Sequence, residues 1–478
     1  MRVNSDFLRQ ADLPPVVIIG TGPAGMTLAL SLEEKGIDCL LVEGGDEFYS
    51  EDSQSVYEGK TFGDEYFALD ETRLRQFGGS SNHWTGLCRP LDAADFEARP
   101  ELGVPGWPIK KTDLDPYDMA ARDILEIGQT RDFEFSGTVD EIAFAMSPPV
   151  IFSQKYGDRI DASRHIHLSL NTSLISLVAE GRSVTHLELA DAAGNRVRLS
   201  PRLVVVACGG LENSRLLLWS NEVSGDPVVA EASALGRYWM EHPHFRLGDC
   251  MLNRPLHRSD IPDWQTTYFN PRAEVMHRHG GLGFALEMPF QGPDDSLRGH
   301  MRQIGCRDLP AMLEMLSSVR GKTPTCGYTL TAAWEQAPDV DNRIVLSKEE
   351  RDRFNVPRLQ LHWRKTAFDL HTAKVGFELV ARDIVAKGIG AVRAYRHLID
   401  MENYTNKHGI AGHHHMGGTR MSDRAAEGVV DRNLKIHGMS NAYVLGSSVF
   451  PRAGHANPTF TIVQLALRMA DHLAKRII

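Results

Sequence analysis

The sequence predicts a mixed protein, with an α/β domain that is divided along the chain and a second domain of α+β type. A β-branched run, a glycine-rich turn and an apolar helical pattern follow one another from Val16 to Gly36, which is the order of a parallel α/β unit. A second run of this kind, residues 203–207, ends in two glycines before another helical pattern. Between residues 246 and 400, His, Arg and Trp become more frequent and glycine punctuation weakens.

We therefore assign residues 1–245 and 401–478 to the first domain, which is discontinuous, and residues 246–400 to the second. Two alternating runs, residues 342–347 and 358–363, predict strands of an antiparallel sheet in the second domain. A helix packed on that sheet is predicted by apolar and small residues at helical spacing, namely Phe368, Thr372, Val375 and Leu379.

Composition narrows the class of protein. The chain has 478 residues, which is long enough for two or more domains. Its composition, 42% hydrophobic and 24% charged, is typical of a globular protein with a large core. The 52 basic and 62 acidic residues form no basic stripe, which argues against nucleic acid as a partner. The six cysteines form no CxxC pair, so we expect reduced thiols. Without a signal-like start or an apolar run of roughly 18 residues, we expect a cytoplasmic protein without a membrane span.

The first glycine-rich turn carries the pattern of a dinucleotide site. Gly20 permits the turn, Gly22 lets the backbone approach a pyrophosphate, and Gly25 lets the helix pack closely on the strand. Glu43 ends the next strand, where a carboxylate accepts ribose hydroxyls. The strand, helix and carboxylate together favour a Rossmann-like site over a bare structural turn.

A second glycine-rich segment, residues 75–86, reads RQFGGSSNHWTG. Backbone N–H groups beside small hydroxyls suit a diphosphate or a flavin edge. A surface loop is the alternative.

Together these motifs resemble the glucose-methanol-choline (GMC) oxidoreductases, and most of all the branch of pyranose oxidase and related sugar dehydrogenases. The resemblance rests on VVIIGTGPAGMTLALSLEEKG, GGSSNHW, VVVACGGLENSRLL, GRYWMEHP, EQAPDVDNRIVLS, HHHMGGTRM and GSSVFPRAGHANPTFT, in the family's order. It implies an FAD domain and a substrate domain. It also implies FAD-dependent oxidation of a CH–OH group, by hydride transfer to the flavin N5. The substrate that it implies is an alcohol, in particular a sugar or glycoside, with oxygen or another acceptor expected to reoxidise the flavin.

The resemblance also implies residue roles. His415 is expected to be the general base for the substrate hydroxyl, and Asn457 its partner, which orients that hydroxyl. His83 stands where pyranose oxidase carries its flavin-linking histidine, so both a covalent link and simple packing against the flavin stay open. The further expected FAD contacts are Gly79, Ser80, Asn82, Thr85, Leu174, Ser447, Pro458 and Thr459.

The sequence also admits other interpretations of its histidines. Three consecutive histidines, His413 to His415, suggest a metal site, but neighbours in an extended strand point to opposite faces, so we expect no metal. His413 and His414 are then expected to fill structural hydrogen bonds. His455 is expected either to touch substrate or to face solvent.

The alternative functions are a flavoprotein lyase of the hydroxynitrile type without redox turnover, and a nucleotide-binding protein without catalysis.

Overall fold

The structure of the chain is a computed structural model. It describes residues 1–4, 6–10, 12–252, 265–287, 328–402 and 412–477. Within these ranges no helix is long and apolar enough to cross a membrane.

The described strands are β1 (Val16–Ile19), β2 (Cys39–Val42), β3 (Gly59–Gly63), β4 (Leu87–Cys88), β5 (Phe133–Glu134), β6 (Val139–Met146), β7 (Ile166–Ser169), β8 (Thr172–Glu180), β9 (Ser183–Asp191), β10 (Arg196–Leu199), β11 (Leu203–Val206), β12 (His244–Leu252), β13 (Gln265–Pro271), β14 (Phe284–Glu287), β15 (Tyr328–Trp334), β16 (Arg343–Arg351), β17 (Pro357–Trp363), β18 (Gly390–Ala394) and β19 (Ala442–Val444). The described α-helices are α1 (Pro23–Glu34), α2 (Glu51–Gln54), α3 (Asp118–Leu125), α4 (Phe152–Ala162), α5 (Gly209–Val223), α6 (Ala273–Arg278), α7 (Ala367–Ala386), α8 (Arg396–Ile399) and α9 (Thr459–Ile477).

A five-stranded parallel sheet organises the first domain, in the order β19–β11–β1–β2–β7. Every residue of β1, β2, β11 and β19 is buried, as expected for the apolar strands of a parallel sheet that is covered on both faces. β11 returns to β1 from far along the chain, and β19 comes from the C-terminal segment. The predicted Rossmann-like sheet, divided along the sequence, is therefore confirmed.

The second large sheet is antiparallel and runs in the order β18–β12–β15–β14–β13–β6–β4, with β5 on the outer side of β6. Helix α7 packs across it, and their apolar side chains form a separate core. Three of its strands, β4 to β6, come from residues 87–146. The division at residues 245/246 and 400/401 stays a prediction, but membership of this sheet does not follow it throughout.

The placement of β16 and β17 differs from the sequence prediction. Both strands form, but outside the large sheet, in a three-stranded sheet of order β16–β17–β3. β17 pairs in parallel with β3, from Leu359 opposite Gly59 to Trp363 opposite Gly63. Sequence patterning missed β3 because it lies at a sheet edge and is mostly exposed. The prediction that α7 packs on the sheet of β16 and β17 is therefore wrong.

Candidate functional site

A cavity of about 740 Å³ runs between the parallel sheet and the antiparallel sheet. Its walls on the first-domain side are the glycine turn after β1, the end of β2, the segment before β4, the start of α5 and the start of α9. Residues of β6, β12, β13, β14 and β15 form the opposite end. The carboxyl ends of β1, β2 and β11 thus open into this cavity, where ligands of parallel α/β sheets bind.

The glycine turn has the geometry that the sequence predicts. Gly20 has a φ of +106°, which disfavours any other residue. A Cβ on Gly25 would lie 1.9 Å from the carbonyl oxygen of Gly20, so only glycine lets α1 begin this close to β1. A Cβ on Gly79 would lie 3.0 Å from Cα of Gly22, whereas a Cβ on Gly22 would meet nothing. The two glycine-rich segments therefore approach each other and leave room above Gly22.

Glu43 lies buried at the end of β2 and lines the cavity. Its carboxylate accepts hydrogen bonds from the Thr21 hydroxyl at 2.7 Å and the Gly45 N–H at 2.8 Å. These bonds tie the glycine turn to the tip of β2 and hold one edge of the nucleotide site in place.

The loop before β4 places all but one of its predicted residues on the cavity. Gly79, Ser80, His83 and Thr85 line it. Asn82 does not: its amide donates to the carbonyls of Phe77 and Gly79, and its oxygen accepts from the Ser153 hydroxyl. Asn82 therefore holds the loop in shape in this structure, and its expected contact with the cofactor stays a prediction.

The remaining expected cofactor residues also line the cavity: Leu174, Ser447, Pro458 and Thr459. Thr459 begins the 19-residue helix α9, so the positive end of its dipole lies at the cavity. α1 likewise starts there, directly after Gly22. Two helix N-termini, an open approach above Gly22 and a buried carboxylate fit the diphosphate and ribose of FAD.

His415 is buried, and its Nε2 has no hydrogen-bond partner in the described part of the chain. Its ring centroid lies 5.8 Å from that of Trp239 and 6.4 Å from that of Tyr66. Burial, followed by the positive charge of Arg73, holds the pKa of His415 well below its usual value. The imidazole is therefore neutral at physiological pH and able to accept a proton.

The backbone around His415 is held from two sides. The Ser447 hydroxyl donates to its carbonyl oxygen at 2.6 Å. Met416, the next residue, exchanges two backbone hydrogen bonds with Met240, at 2.8 and 3.0 Å. The histidine is thus fixed to the segment before β12 and to the segment after β19.

Asn457 lines the same cavity as His415. Its amide nitrogen donates to the carbonyl oxygen of Leu87 at 3.0 Å, which leaves its Oδ1 to accept a hydrogen bond. The structure brings His415 and Asn457 to one cavity without a direct hydrogen bond between them.

The other two consecutive histidines behave differently from each other. The Nδ1 atoms of His414 and His242 are 2.8 Å apart, so His414 fills a hydrogen bond as predicted. His413 does not: it packs edge-on against Phe67, with ring centroids 4.6 Å apart, and its Nε2 is unpartnered within the described ranges. The segment is also not a strand, because His413 has a φ of +54°.

Sequence reasoning gave no role to Glu241. Its buried carboxylate accepts hydrogen bonds from the N–H groups of His414 at 2.7 Å and His242 at 2.9 Å, and from the Tyr66 hydroxyl. Burial raises the pKa of Glu241 to about 7. The run GRYWMEHP was part of the family resemblance, but nothing in its pattern showed that the carboxylate turns inward to hold the histidine segment.

His455 is buried in the cavity wall, so the expectation that it faces solvent is wrong. Metal-ligand atoms of Asp92, Asp95 and His455 lie within 4.8 Å of one another. Each already has a protein donor, however. Arg89 donates to Asp92 at 3.0 Å, the Asp92 N–H donates to Asp95 at 2.8 Å, and Asn270 lies 3.3 Å from Nε2 of His455. We interpret the group as a structural network.

Comparison with known proteins agrees with this geometry. Residues 338–466 match the family model described as GMC oxidoreductase, and residues 14–62 match one described as FAD binding domain. Together with the fold, these two matches identify the chain as an FAD-dependent oxidoreductase.

Residues 338–466 thus carry the GMC oxidoreductase pattern, and FAD is the cofactor of this chain. The chain is 22% identical to 2-methyl-1,2-propanediol dehydrogenase of Mycolicibacterium austroafricanum, over 98% of this chain and 96% of that protein. It is 25% identical to C-glycoside 3-oxidase of Microbacterium trichothecenolyticum, over 84% and 75% of the two chains.

The large subunit of fructose dehydrogenase from Gluconobacter japonicus is 23% identical over 60% of this chain, and the match spans 50% of that subunit. Among solved structures, pyridoxine 4-oxidase shares the fold with a TM-score of 0.59 and 16% identity, over 96% of this chain and 99% of that one.

Proposed function

We propose that the protein oxidises a CH–OH group of a neutral polyhydroxylated substrate, a sugar or glycoside, with His415 as general base. The observation that carries this proposal is the chemistry of the cavity end formed by the antiparallel sheet. Seven histidines line the cavity: His83, His242, His244, His413, His414, His415 and His455.

Imidazoles that lie in such a cavity need polar partners. The Nε2 atoms of His244, His413 and His415 have none among the described residues. Burial lowers the pKa of each of these side chains, so they are neutral. Hydroxyl groups, which both donate and accept, are the natural partners of neutral imidazoles.

The same end of the cavity carries no charged side chain among its described lining residues. The antiparallel sheet contributes Phe144, Tyr268, Ala285 and Ala333 there. The charged residues of the cavity lie elsewhere: Glu43 and Arg73 on the first-domain side, and Asp352 beside Arg215 of α5. An uncharged ligand with apolar C–H faces and several hydroxyls suits this end better than a carboxylate or an amine. Three relatives bear the names of a fructose dehydrogenase, a C-glycoside oxidase and a propanediol dehydrogenase, and these names support the same class.

In the proposed reaction His415 takes the hydroxyl proton of the substrate, because an alcohol becomes a good hydride donor only as that proton leaves. FAD, when bound, would supply the acceptor for the hydride that leaves the carbinol carbon. Asn457, held by the Leu87 carbonyl, orients the substrate through its free Oδ1. The apolar side chains around His415, among them Trp239 and Tyr66, exclude water from the proton acceptor.

The test is an anaerobic titration of the FAD-loaded protein with a panel of neutral sugars, glycosides, uronic acids and simple monoalcohols, followed at the absorption band of oxidised flavin. We expect bleaching by a neutral sugar or glycoside, and little or none by the matching uronic acid. Bleaching by a uronic acid in preference to its neutral parent would contradict the proposed substrate class. A flavin that no member bleaches would contradict the oxidation.

A further inference from the structure

His414 belongs to a hydrogen-bonded series of buried groups. Nε2 of His242 lies 2.8 Å from the carbonyl oxygen of Gly454, and Nδ1 of His242 lies 2.8 Å from Nδ1 of His414. The rings of the two histidines stand perpendicular to each other, at 89°. The backbone of His414 is held as well, because its N–H donates to Glu241.

This series fixes the protonation of each ring nitrogen. A carbonyl oxygen can only accept, so Nε2 of His242 carries the hydrogen. Burial lowers the pKa of His242 to about 4, so this ring is neutral and its Nδ1 is an acceptor. Nδ1 of His414 must then donate. Burial, and then the neighbouring histidines, holds the pKa of His414 well below its usual value, so its Nε2 carries an unprotonated lone pair.

That lone pair has no hydrogen-bond partner among the described residues. All the described hydrogen bonds of His414 go through its N–H and its Nδ1. His414 lines the cavity and stays partly accessible. Nε2 of His414 is therefore a neutral hydrogen-bond acceptor in the cavity wall, and its tautomer is fixed. It belongs to the residue directly before the proposed base, His415.

We propose that His414 accepts a hydrogen bond from a second hydroxyl of the substrate, beside the one that is oxidised, and that His242 is the positioning residue that fixes its tautomer. This inference rests on the proposed function and narrows its substrate class to polyols with a free hydroxyl close to the reacting carbinol. A monoalcohol leaves the His414 acceptor unpaired in a desolvated site. Sites built to bind a hydroxyl reject analogues that lack it for this reason.

The test compares one polyol substrate with its monodeoxy analogues, in the FAD-loaded wild type and in His414→Phe, which keeps a flat ring but removes both nitrogens. We expect His414→Phe to lower kcat/KM for the parent roughly 10- to 100-fold. For one deoxy analogue, which lacks the hydroxyl that His414 binds, we expect the same substitution to change kcat/KM less than about threefold, since that contact is already lost. The matched control is His186→Phe, a substitution in β9 outside the cavity lining, which we expect to leave both substrates unaffected.

Equal losses for the parent and every deoxy analogue would overturn the inference, because a merely structural histidine cannot distinguish them. If His414→Phe does not hold FAD, the same comparison is made with His242→Phe, which keeps His414 but removes the partner of its Nδ1. A selective loss for the parent supports the inference, and equal losses overturn it. Failure of the wild type to oxidise any polyol would instead refute the proposed function.

Discussion

A Cβ placed on Gly210 would lie 2.0 Å from the carbonyl oxygen of His415. The first turn of α5 therefore passes directly against the backbone of the proposed base. Gly210 also lines the cavity, and its φ lies outside the left-handed region. Close approach, rather than backbone conformation, is what requires glycine here.

We expect Gly210→Ala to displace His415 and to lower kcat roughly 10- to 100-fold, since small misplacements of a catalytic group are costly. Steady-state kinetics of the FAD-loaded variant would measure this. Gly225→Ala is the matched control, because a Cβ there meets nothing. Equal activities of the two variants would mean that the backbone of His415 can shift without consequence.

Glu241 offers a second way to disturb the base. Glu241→Ala removes Oε1, which accepts from both the His414 and the His242 N–H groups. We expect a loss of about 1–3 kcal/mol in the free energy of unfolding, measured by urea denaturation of the FAD-loaded protein. Tyr66→Phe leaves both N–H bonds to Glu241 intact and is expected to cost less. The reverse order of the two losses would contradict the role assigned to the carboxylate.

The buried histidines predict a fall in stability on mild acidification. Burial lowers the pKa of both His242 and His244 to about 4, whereas both titrate near 6.5 in the unfolded chain. Between these two pH values the unfolded state binds more protons than the folded state, so stability is lost as the pH falls from about 6.5 toward about 4. At about pH 5 each histidine lowers the free energy of unfolding by on the order of 2 kcal/mol relative to neutral pH.

Thermal unfolding of the FAD-loaded protein across this pH range is the measurement. His244→Phe is the informative variant, because Nε2 of His244 has no partner among the described residues. We expect the variant to show a shallower loss of melting temperature on acidification than the wild type. An unchanged slope would show that His244 is not held neutral.

Arg452 and Glu335 form a buried ion pair with two hydrogen bonds, at 2.8 and 2.9 Å, and both side chains are almost completely inaccessible. Arg452 also donates to the carbonyl of Glu97 at 2.7 Å, so it joins the C-terminal segment to the end of β15 and to the segment after β4.

We expect Arg452→Met to cost about 3–5 kcal/mol, because it leaves the Glu335 carboxylate buried without its partner. Adding Glu335→Gln should recover part of this loss in denaturant titrations. A double variant no more stable than Arg452→Met alone would argue that packing of Arg452, and not its charge, accounts for the effect.

The local patterns of the first domain were readable from the sequence. The strand, glycine turn and carboxylate around Gly20 and Glu43 depend on residues close together in the chain, so short motifs encode them. The placement of β17 beside β3 was not readable, because the two strands are some 300 residues apart and β3 has no apolar alternation. The hydrogen bond between Asn82 and Ser153 was not readable for a related reason, since the two residues are distant in sequence. The support of the histidine segment by Glu241 and His242 likewise arises only in three dimensions.

The central claim is that His415 accepts the substrate proton, and single-turnover reduction of the FAD-loaded protein by its best polyol substrate tests it most directly. Wild type and His415→Ala are mixed anaerobically with the substrate, and the decay of the oxidised flavin band is timed. We expect a rate lower by about 10²- to 10⁴-fold in His415→Ala, with the same FAD content and an unchanged oxidised spectrum. Reduction of His415→Ala at the wild-type rate would contradict this claim.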